Sequence, residues 1–258
     1  MSFIQVDASL DAAEAMESGS LKRQQPRQQT RDLMKQPPAA GVHIERSDMA
    51  LPGASLTFKD LAFSAVLPTG DTKTILEPCS GHFEPGQLVA VMGPSGCGKS
   101  TLLDMLAMKK TSPYTGQVWV NGRERNSATF QRIAAYVGQE DRMPAHWRVR
   151  EALEFNAALK CQGKRAAGLV DSFLEAFGLA GVADTYIGGD SVRGISGGQR
   201  RRVTLARGVA AQASLLFCDE PTSGLSATDA ELCVKALRVI AKRLNVLVMV
   251  VIHQPRRE

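Results

Sequence analysis

Residues 88–106 read LVAVMGPSGCGKSTLLDML, an apolar run, a glycine-rich turn and a helical pattern in direct succession. Leu88, Val89, Ala90, Val91 and Met92 form a short continuous apolar segment, which suits a strand buried on both faces of a parallel sheet. Gly93, the intervening Pro94, Ser95, Gly96 and Cys97, and then Gly98, Lys99 and Ser100 match the phosphate-binding loop pattern. That spacing has a physical reason: a polyphosphate must lie against backbone N–H groups that side chains would otherwise block, and Gly93, Gly96 and Gly98 give the access. A helix starting near Lys99 aims its unsatisfied N–H groups and positive dipole end at the same phosphates. Lys99 is placed to reach the β and γ phosphates, and Ser100 to set its hydroxyl on Mg²⁺. Alkylation of Cys97, inside the loop, is expected to crowd out the polyphosphate, and the bound ligand to protect the thiol.

Composition bounds the alternatives. A chain of 258 residues with 44% hydrophobic content can bury a sizeable core in one large or two small domains. Residues 246–252 make the longest apolar run near the C-terminus, seven residues, against the roughly 18 to 20 that a membrane-spanning helix needs. Acidic Asp7, Asp11 and Glu14 occupy the N-terminus, which has no basic and then apolar pattern of a secretory signal. The cysteines Cys79, Cys97, Cys161, Cys218 and Cys233 are odd in number and contain no C-x-x-C pair, which favours reduced thiols in the cytosol and argues against zinc. A formal charge of +5 is compatible with nucleic acid, an anionic membrane surface or plain solubility, and decides among none of them.

Working outward, residues 1–50 are rich in Gln, Ala, Ser, Arg and Pro, with KRQQPRQQTR at 22–31, and read as a disordered, solvated tail. Order is expected from Ser55, where SLTFKDLAF alternates Leu56, Phe58, then Leu61, Phe63, as an edge or antiparallel strand. A second strand is expected around 74–76, the Pro85-Gly86 turn feeds the central strand, and residues 117–120 with Asn121-Gly122 give a strand and hairpin-type turn. Another strand covers 133–137. Residues 139–194 then read as mostly helical, with Val170, Phe173, Leu174 and Phe177 forming one stripe closed by Gly178. Helices at 198–211 and 229–244 alternate with strands at 215–218 and 246–252, which implies a parallel sheet with right-handed crossovers.

Two further elements belong with the loop. Leu215, Leu216, Phe217 and Cys218 run into Asp219 and Glu220; the acid ending such a strand holds Mg²⁺ in phosphate-loop NTPases, a role assigned to Asp219, while Glu220 is placed to polarise an attacking water. Gly194-Ile-Ser-Gly-Gly-Gln199 then opens a helix reading RRRVTLARGV, a second exposed anion site in the same physical sense. Here the sequence resembles the nucleotide-binding domain of ATP-binding cassette (ABC) transporters, whose signature is Leu-Ser-Gly-Gly-Gln. Lys99, Gln139, Ser196, Asp219 and His253 follow one another in the family's order of phosphate loop, glutamine loop, signature, acidic strand and switch histidine. The wording VRGISGGQRRRVTLARG and VIHQPR is similar to the G subfamily, the white and pleiotropic-drug-resistance type.

That resemblance covers residues 51–258 and implies a P-loop NTPase fold of α/β class: a mostly parallel sheet flanked by helices, an N-terminal antiparallel β subdomain and a helical subdomain at about 141–197. It implies that Gly93, Pro94, Ser95, Gly96, Cys97, Gly98, Lys99, Ser100 and Thr101 bind the phosphates of ATP, with Mg²⁺ on Ser100, Gln139 and Asp219. Glu220 becomes the general base, Lys99, Gln139 and His253 contact the γ-phosphate, and Ser196, Gly197, Gly198 and Gln199 bind ATP held by a second nucleotide-binding domain in a head-to-tail dimer. The partners it implies are that second domain and a transmembrane domain absent from this chain, on the cytoplasmic face of a membrane, exporting a lipid or hydrophobic compound; no nucleic acid is expected. Four features depart from the family pattern: Ile195 replaces the usual Leu, Ser226 stands where the D-loop usually has Asp, Phe63 is out of phase with the usual adenine-stacking aromatic near Ala65, and the chain stops at Glu258. They leave two alternatives: a nucleotide-binding module with little hydrolysis, and a soluble ABC ATPase acting on nucleic acid. The cluster Arg200, Arg201 and Arg202, which suggests the latter, reads instead as a solvated helix face.

Overall fold

The computed structural model describes residues 5–7, 51–159, 164–189 and 191–253. The basic run at 22–31 lies outside them. Within the stretch expected to be a disordered tail, Gln5–Asp7 forms a short strand, β1.

Two sheets organise the chain. The first has the order β1, β4 (Leu88–Gly93), β9 (Leu247–His253), β8 (Leu215–Cys218), β7 (Ala134–Val137). β4, β9, β8 and β7 are parallel, and β1 closes the edge antiparallel to β4. The second is antiparallel, with the order β3 (Thr72–Phe83), β2 (Leu56–Val66), β5 (Thr115–Val120), β6 (Arg123–Glu124). The second strand thus runs much further than the 74–76 expected from sequence.

The apolar phase in β2 changes from Leu56 and Phe58 to Leu61 and Phe63, and a regular strand cannot bury both pairs. A bulge resolves it: the β2–β3 register shifts between Phe58 and Leu61, Asp60 takes a φ of 52°, and Ser80 Oγ accepts from Asp60 N at 2.9 Å. All four apolar side chains are buried as a result.

The parallel strands are apolar without interruption because both faces are covered. Val89, Val91, Leu215, Phe217, Leu247, Met249 and Val251 face the antiparallel sheet and helix α1 (Lys99–Leu106), which inserts Leu102, Leu103, Met105 and Leu106 between the two sheets. The alternate residues Ala90, Leu216, Cys218, Val248 and Val250 face a second core, built with the helices that follow. Helix α2 (Ser127–Ile133) escapes sequence reading because it has seven residues and buries only Phe130, so it carries no apolar stripe; Asn126 caps it, accepting from Ala128 N at 3.0 Å.

Helices α3 (Val149–Ala158) and α4 (Lys164–Ala176) form the helical portion between β7 and β8, and the stripe of Val170, Phe173, Leu174 and Phe177 is fully buried. Gly178 closes it with a φ of 61°. Among the described residues of 139–194, helix occurs in these two elements and a 3₁₀ turn at Ala180–Val182, and turns and extended backbone make up the remainder of those described. Residues around Gly188 and Gly194 instead pack backbone against backbone. Helix α5 (Gly197–Ala210) returns the chain to β8, and α6 (Ala227–Leu244) carries it to β9, ending at Asn245 in the left-handed conformation.

At Gly208, α5 lies so close to β7 that an added Cβ would collide with a Val137 Cγ2 methyl. Gly208→Ala is therefore expected to lower stability by about 1–3 kcal/mol through overpacking, read as a lower urea midpoint at unchanged slope.

Candidate functional site

The phosphate-binding loop joins β4 to α1. Gly98 takes a φ of 95°, and a Cβ there would stand 2.8 Å from Ile75 O, so both conformation and crowding require glycine. Gly96, with a φ of 80°, has no atom within 4 Å of where its Cβ would be, and Pro94, Ser95 and Gly96 are exposed. The loop therefore presents open backbone to its outer side. Lys99 is only 4% exposed, and its Nζ donates to Gly93 O and Pro94 O, both at 2.8 Å. Lys99 forms no ion pair among the described residues. A buried ammonium held by neutral carbonyls alone is a costly charge, and a phosphate laid along the loop would neutralise it. Cys97 is 6% exposed, packed within the loop, so the thiol expected to be open to alkylation is shielded.

Ser100 Oγ donates to Asp219 Oδ1 at 3.0 Å, joining the first turn of α1 to the end of β8. A hydroxyl and a carboxylate side by side are hard oxygen donors of the kind Mg²⁺ uses when phosphates supply the rest of its shell. Burial pushes the Asp219 carboxyl above its ordinary range, with Glu220 and Asp104 adding to the rise and hydrogen bonds from Ser100 and Tyr136 opposing it. Tyr136, on β7, donates to Asp104 Oδ1 at 2.9 Å and lies 3.4 Å from Asp219 Oδ2. Burial and the neighbouring carboxylates push its phenol far up, so it stays a neutral donor.

Glu220 follows Asp219 with a φ of 49°, a left-handed conformation that costs a bulky residue about 1–2 kcal/mol. It turns the carboxylate away from Asp219 toward the glutamine loop, where Gln139 Nε2 donates to Glu220 Oε2 at 3.1 Å. Gln139, assigned to both metal and γ-phosphate, is thus held by the general-base candidate. His253 ends β9 as the register partner of Gly93, at the same edge of the sheet.

The signature residues stand apart, at the start of α5. Ser196 Oγ accepts from Gln199 N at 3.2 Å, and Gln199 Oε1 accepts from Ser196 N at 2.9 Å, a reciprocal cap. Ser196 and Gly197 are exposed, no atom lies within 4 Å of a Cβ built on Gly197, and one built on Gly198 would stand 2.8 Å from Asp229 Oδ2. Ile195, in place of the usual Leu, is 8% exposed and packs in the core. Ser226 caps α6: its Oγ accepts from Asp229 N at 3.1 Å and donates to Asp229 Oδ2 at 3.0 Å. Phe63 is likewise in the core, with Lys110 Nζ 3.9 Å above its ring.

The arginine cluster is not a solvated face. Arg200 donates to Ile187 O and Gly188 O, and Arg202 donates to Phe177 O and Gly178 O and pairs with Asp229 at 3.2 Å. Arg201 is 4% exposed and donates to six acceptors around Gln139 and Glu220. Charge alone gives no signal for this; the signal present is helical phase, since Arg201 falls four residues before Leu205 and eight before Val209, on the face those buried residues share.

The chain is similar to known proteins over most of its described length. The family described as ABC transporter matches residues 76–223. ABC transporter G family member 22 of Dictyostelium discoideum is 42% identical over 214 residues, 79% of this chain and 34% of its own. ABC transporter G family member 11 of Arabidopsis thaliana is 40% identical, over 80% of this chain and 30% of its own. A Saccharomyces cerevisiae protein named as a probable ATP-dependent permease is 37% identical, over 79% and 20%. The chain spans about a third or less of the length of these curated relatives.

Because the folded-state Asp219 carboxyl is raised above its ordinary 3.8, its contribution to stability is complete below that value and is lost as pH rises through the folded-state value. Asp219→Asn is therefore expected to raise the melting temperature at pH 7, with the gain vanishing as pH falls below about 4. Thermal melts of both proteins across pH check this.

Proposed function

The chain belongs to the ABC transporter family, as a nucleotide-binding domain of the G-family kind, and from that premise we propose that it is a Mg²⁺-dependent ATPase driving export of a lipid or hydrophobic compound. The observation that carries this reading is the buried Lys99 ammonium, held by the carbonyls of Gly93 and Pro94 with no ion pair among the described residues, one residue from the Ser100–Asp219 pair. Loop amides from Gly93 to Thr101 and the start of α1 bind the triphosphate. Lys99 exchanges loop carbonyls for phosphate oxygens. Ser100 and Asp219 hold Mg²⁺, with Gln139 assisting, and the ion supplies charge neutralisation on the phosphates when bound. Glu220 takes the proton of the attacking water, Gln139 contacts the γ-phosphate, His253 is assigned to the same phosphate by its place in the family order of motifs, and Lys99 stabilises the charge that develops.

The exposed faces of Gly96 and Gly197 support a head-to-tail pair, in which Ser196, Gly197, Gly198 and Gln199 of one chain close on the loop of the other. Among the described residues no helix is long and apolar enough to cross a membrane, and the membrane helices are assigned to a transmembrane partner on whose cytoplasmic side this domain sits. A cleft of about 240 Å³, lined by Gly138, Glu140, Arg142, Asn156 and Arg207, gives that partner a path to the glutamine loop. A second reading, nucleotide binding with little hydrolysis, draws on Ser226, which is engaged in capping α6. The nucleic-acid reading loses its motive, because the arginines that suggested it donate to protein carbonyls.

Glu220→Gln is expected to slow turnover roughly 10²- to 10⁴-fold while retaining ATP and accumulating an ATP-bound dimer. Phosphate release and size-exclusion chromatography measure this. Equal turnover in the two proteins would remove the base from Glu220, and ATP binding without phosphate release by the parent chain would favour the second reading.

A further inference from the structure

The parallel ladder between β7 and β8 pairs Val137 with Cys218 and gains one more rung where Asp219 N donates to Val137 O at 2.9 Å. Beyond that point the two backbones separate, one entering the glutamine loop and the other the acidic turn. The carbonyls that would have continued the ladder meet one side chain instead. Arg201 Nη1 donates to Gly138 O at 2.8 Å and Gln139 O at 3.1 Å, Nη2 to Asp219 O at 3.0 Å and Glu220 O at 2.9 Å, and Nε to Pro221 O at 3.2 Å. Asp141, in the glutamine loop, supplies the counter-charge at 3.1 Å.

We propose that Arg201 is the positioning residue of this site, a buried clamp that fixes the glutamine loop and the acidic turn to each other so that Gln139 and Glu220 converge. This rests on the assignment of Glu220 as base and Gln139 as its neighbour at the γ-phosphate. Three features support a role beyond general packing. The clamp grips the carbonyls on either side of the left-handed Glu220, the conformation that sends its carboxylate toward Gln139. Among the described residues its hydrogen-bond partners lie in 138–141 and 219–221, so the guanidinium binds both functional loops. Its helix is also the one that begins at the signature, so a shift of α5 caused by a second chain at Ser196 and Gly197 is delivered by Arg201 to the base and the glutamine loop together. Only a planar fork with five N–H groups serves two divergent strands; an ammonium with three donors reaches part of the set.

The test compares Arg201→Met, Arg201→Lys and Asp141→Asn with the parent chain, at protein concentrations that favour dimers. Arg201→Met is expected to lower kcat about 100-fold while KM and Kd for ATP stay within about threefold, since misplacing a base costs rate and the phosphate cradle is untouched. Arg201→Lys is expected to recover about a tenth to a third of the parent kcat, a partial rescue that follows the reduced donor count. Asp141→Asn, which keeps the guanidinium, is expected to lower kcat a few-fold at unchanged KM. Hydrogen exchange supplies a readout that needs no turnover: in Arg201→Met, residues 138–141 and 219–223 should lose protection together while 93–101 keep theirs. Parent-like kcat and exchange in the Met variant, or loss of protection spread equally over 93–101, would overturn the proposal. Should the Met variant not fold, parent-like kcat and exchange in both remaining variants would overturn it. Full activity of Glu220→Gln would instead overturn the base assignment, leaving the joint exchange response to decide the clamp.

Discussion

The parallel ladder sets Gly93 opposite His253, Met92 opposite Ile252, and Cys218 opposite both Val137 and Val250. Strands that run in one direction and in this register must end at one edge, and every loop that leaves them starts there. The phosphate loop after β4, the glutamine loop after β7, the acidic turn after β8 and the histidine ending β9 are distant in sequence and become neighbours for that reason alone. The sheet can be held in this register because both its faces are dry: one is packed against the antiparallel sheet and α1, the other against α5, α6 and the helical portion. A one-residue slip of any strand would exchange its two buried faces and move its loop out of the site.

At that edge the polar chemistry is arranged so that each charge has a backbone or side-chain partner, with an opening left for an anion. Lys99 rests on carbonyls, Ser100 joins Asp219, Tyr136 joins Asp104, and Gln139 joins Glu220. Desolvation of Asp219 raises the free energy of its ionised form, and the hydrogen bonds from Ser100 and Tyr136 offset part of that cost. A bound cation would relieve the remainder. The signature residues take no part in this network; their hydrogen bonds complete a helix cap, and their outer surface is open. One chain thus presents a glycine loop open to an anion at one place and an open helix N-terminus at another.

Much of this was legible in the sequence because the signals are local. An apolar pentad, a glycine spacing and a lysine-serine pair specify strand, loop and helix start without reference to the remainder of the chain, and Lys99–Leu106 begins where that pattern places it. The stripe from Val170 to Phe177 and the run from Leu215 to Asp219 are equally local, and both were legible. What was not legible depended on distant partners. Helix α2 is too short and too exposed to leave a period. The bulge at Asp60 shows in sequence only as a broken alternation, and the packing of Cys97 within the loop depends on the completed turn. Three consecutive arginines read as solvated because charge favours water, yet each finds backbone carbonyls that a composition argument does not see.

The sequence by itself determined where strand, glycine loop and helix start fall around residues 88–106 and the order of the strand and helix elements after them, since those signals carry their reasons within a few residues. Helical phase puts Arg201 on the buried face of its helix, but only the tertiary structure decided what the guanidinium meets there. The reason is the divergence of two backbones at the end of a ladder: the carbonyls of Gly138, Gln139, Asp219, Glu220 and Pro221 are brought together by strands far apart in the chain, and a single guanidinium is the group whose donors can satisfy them at once.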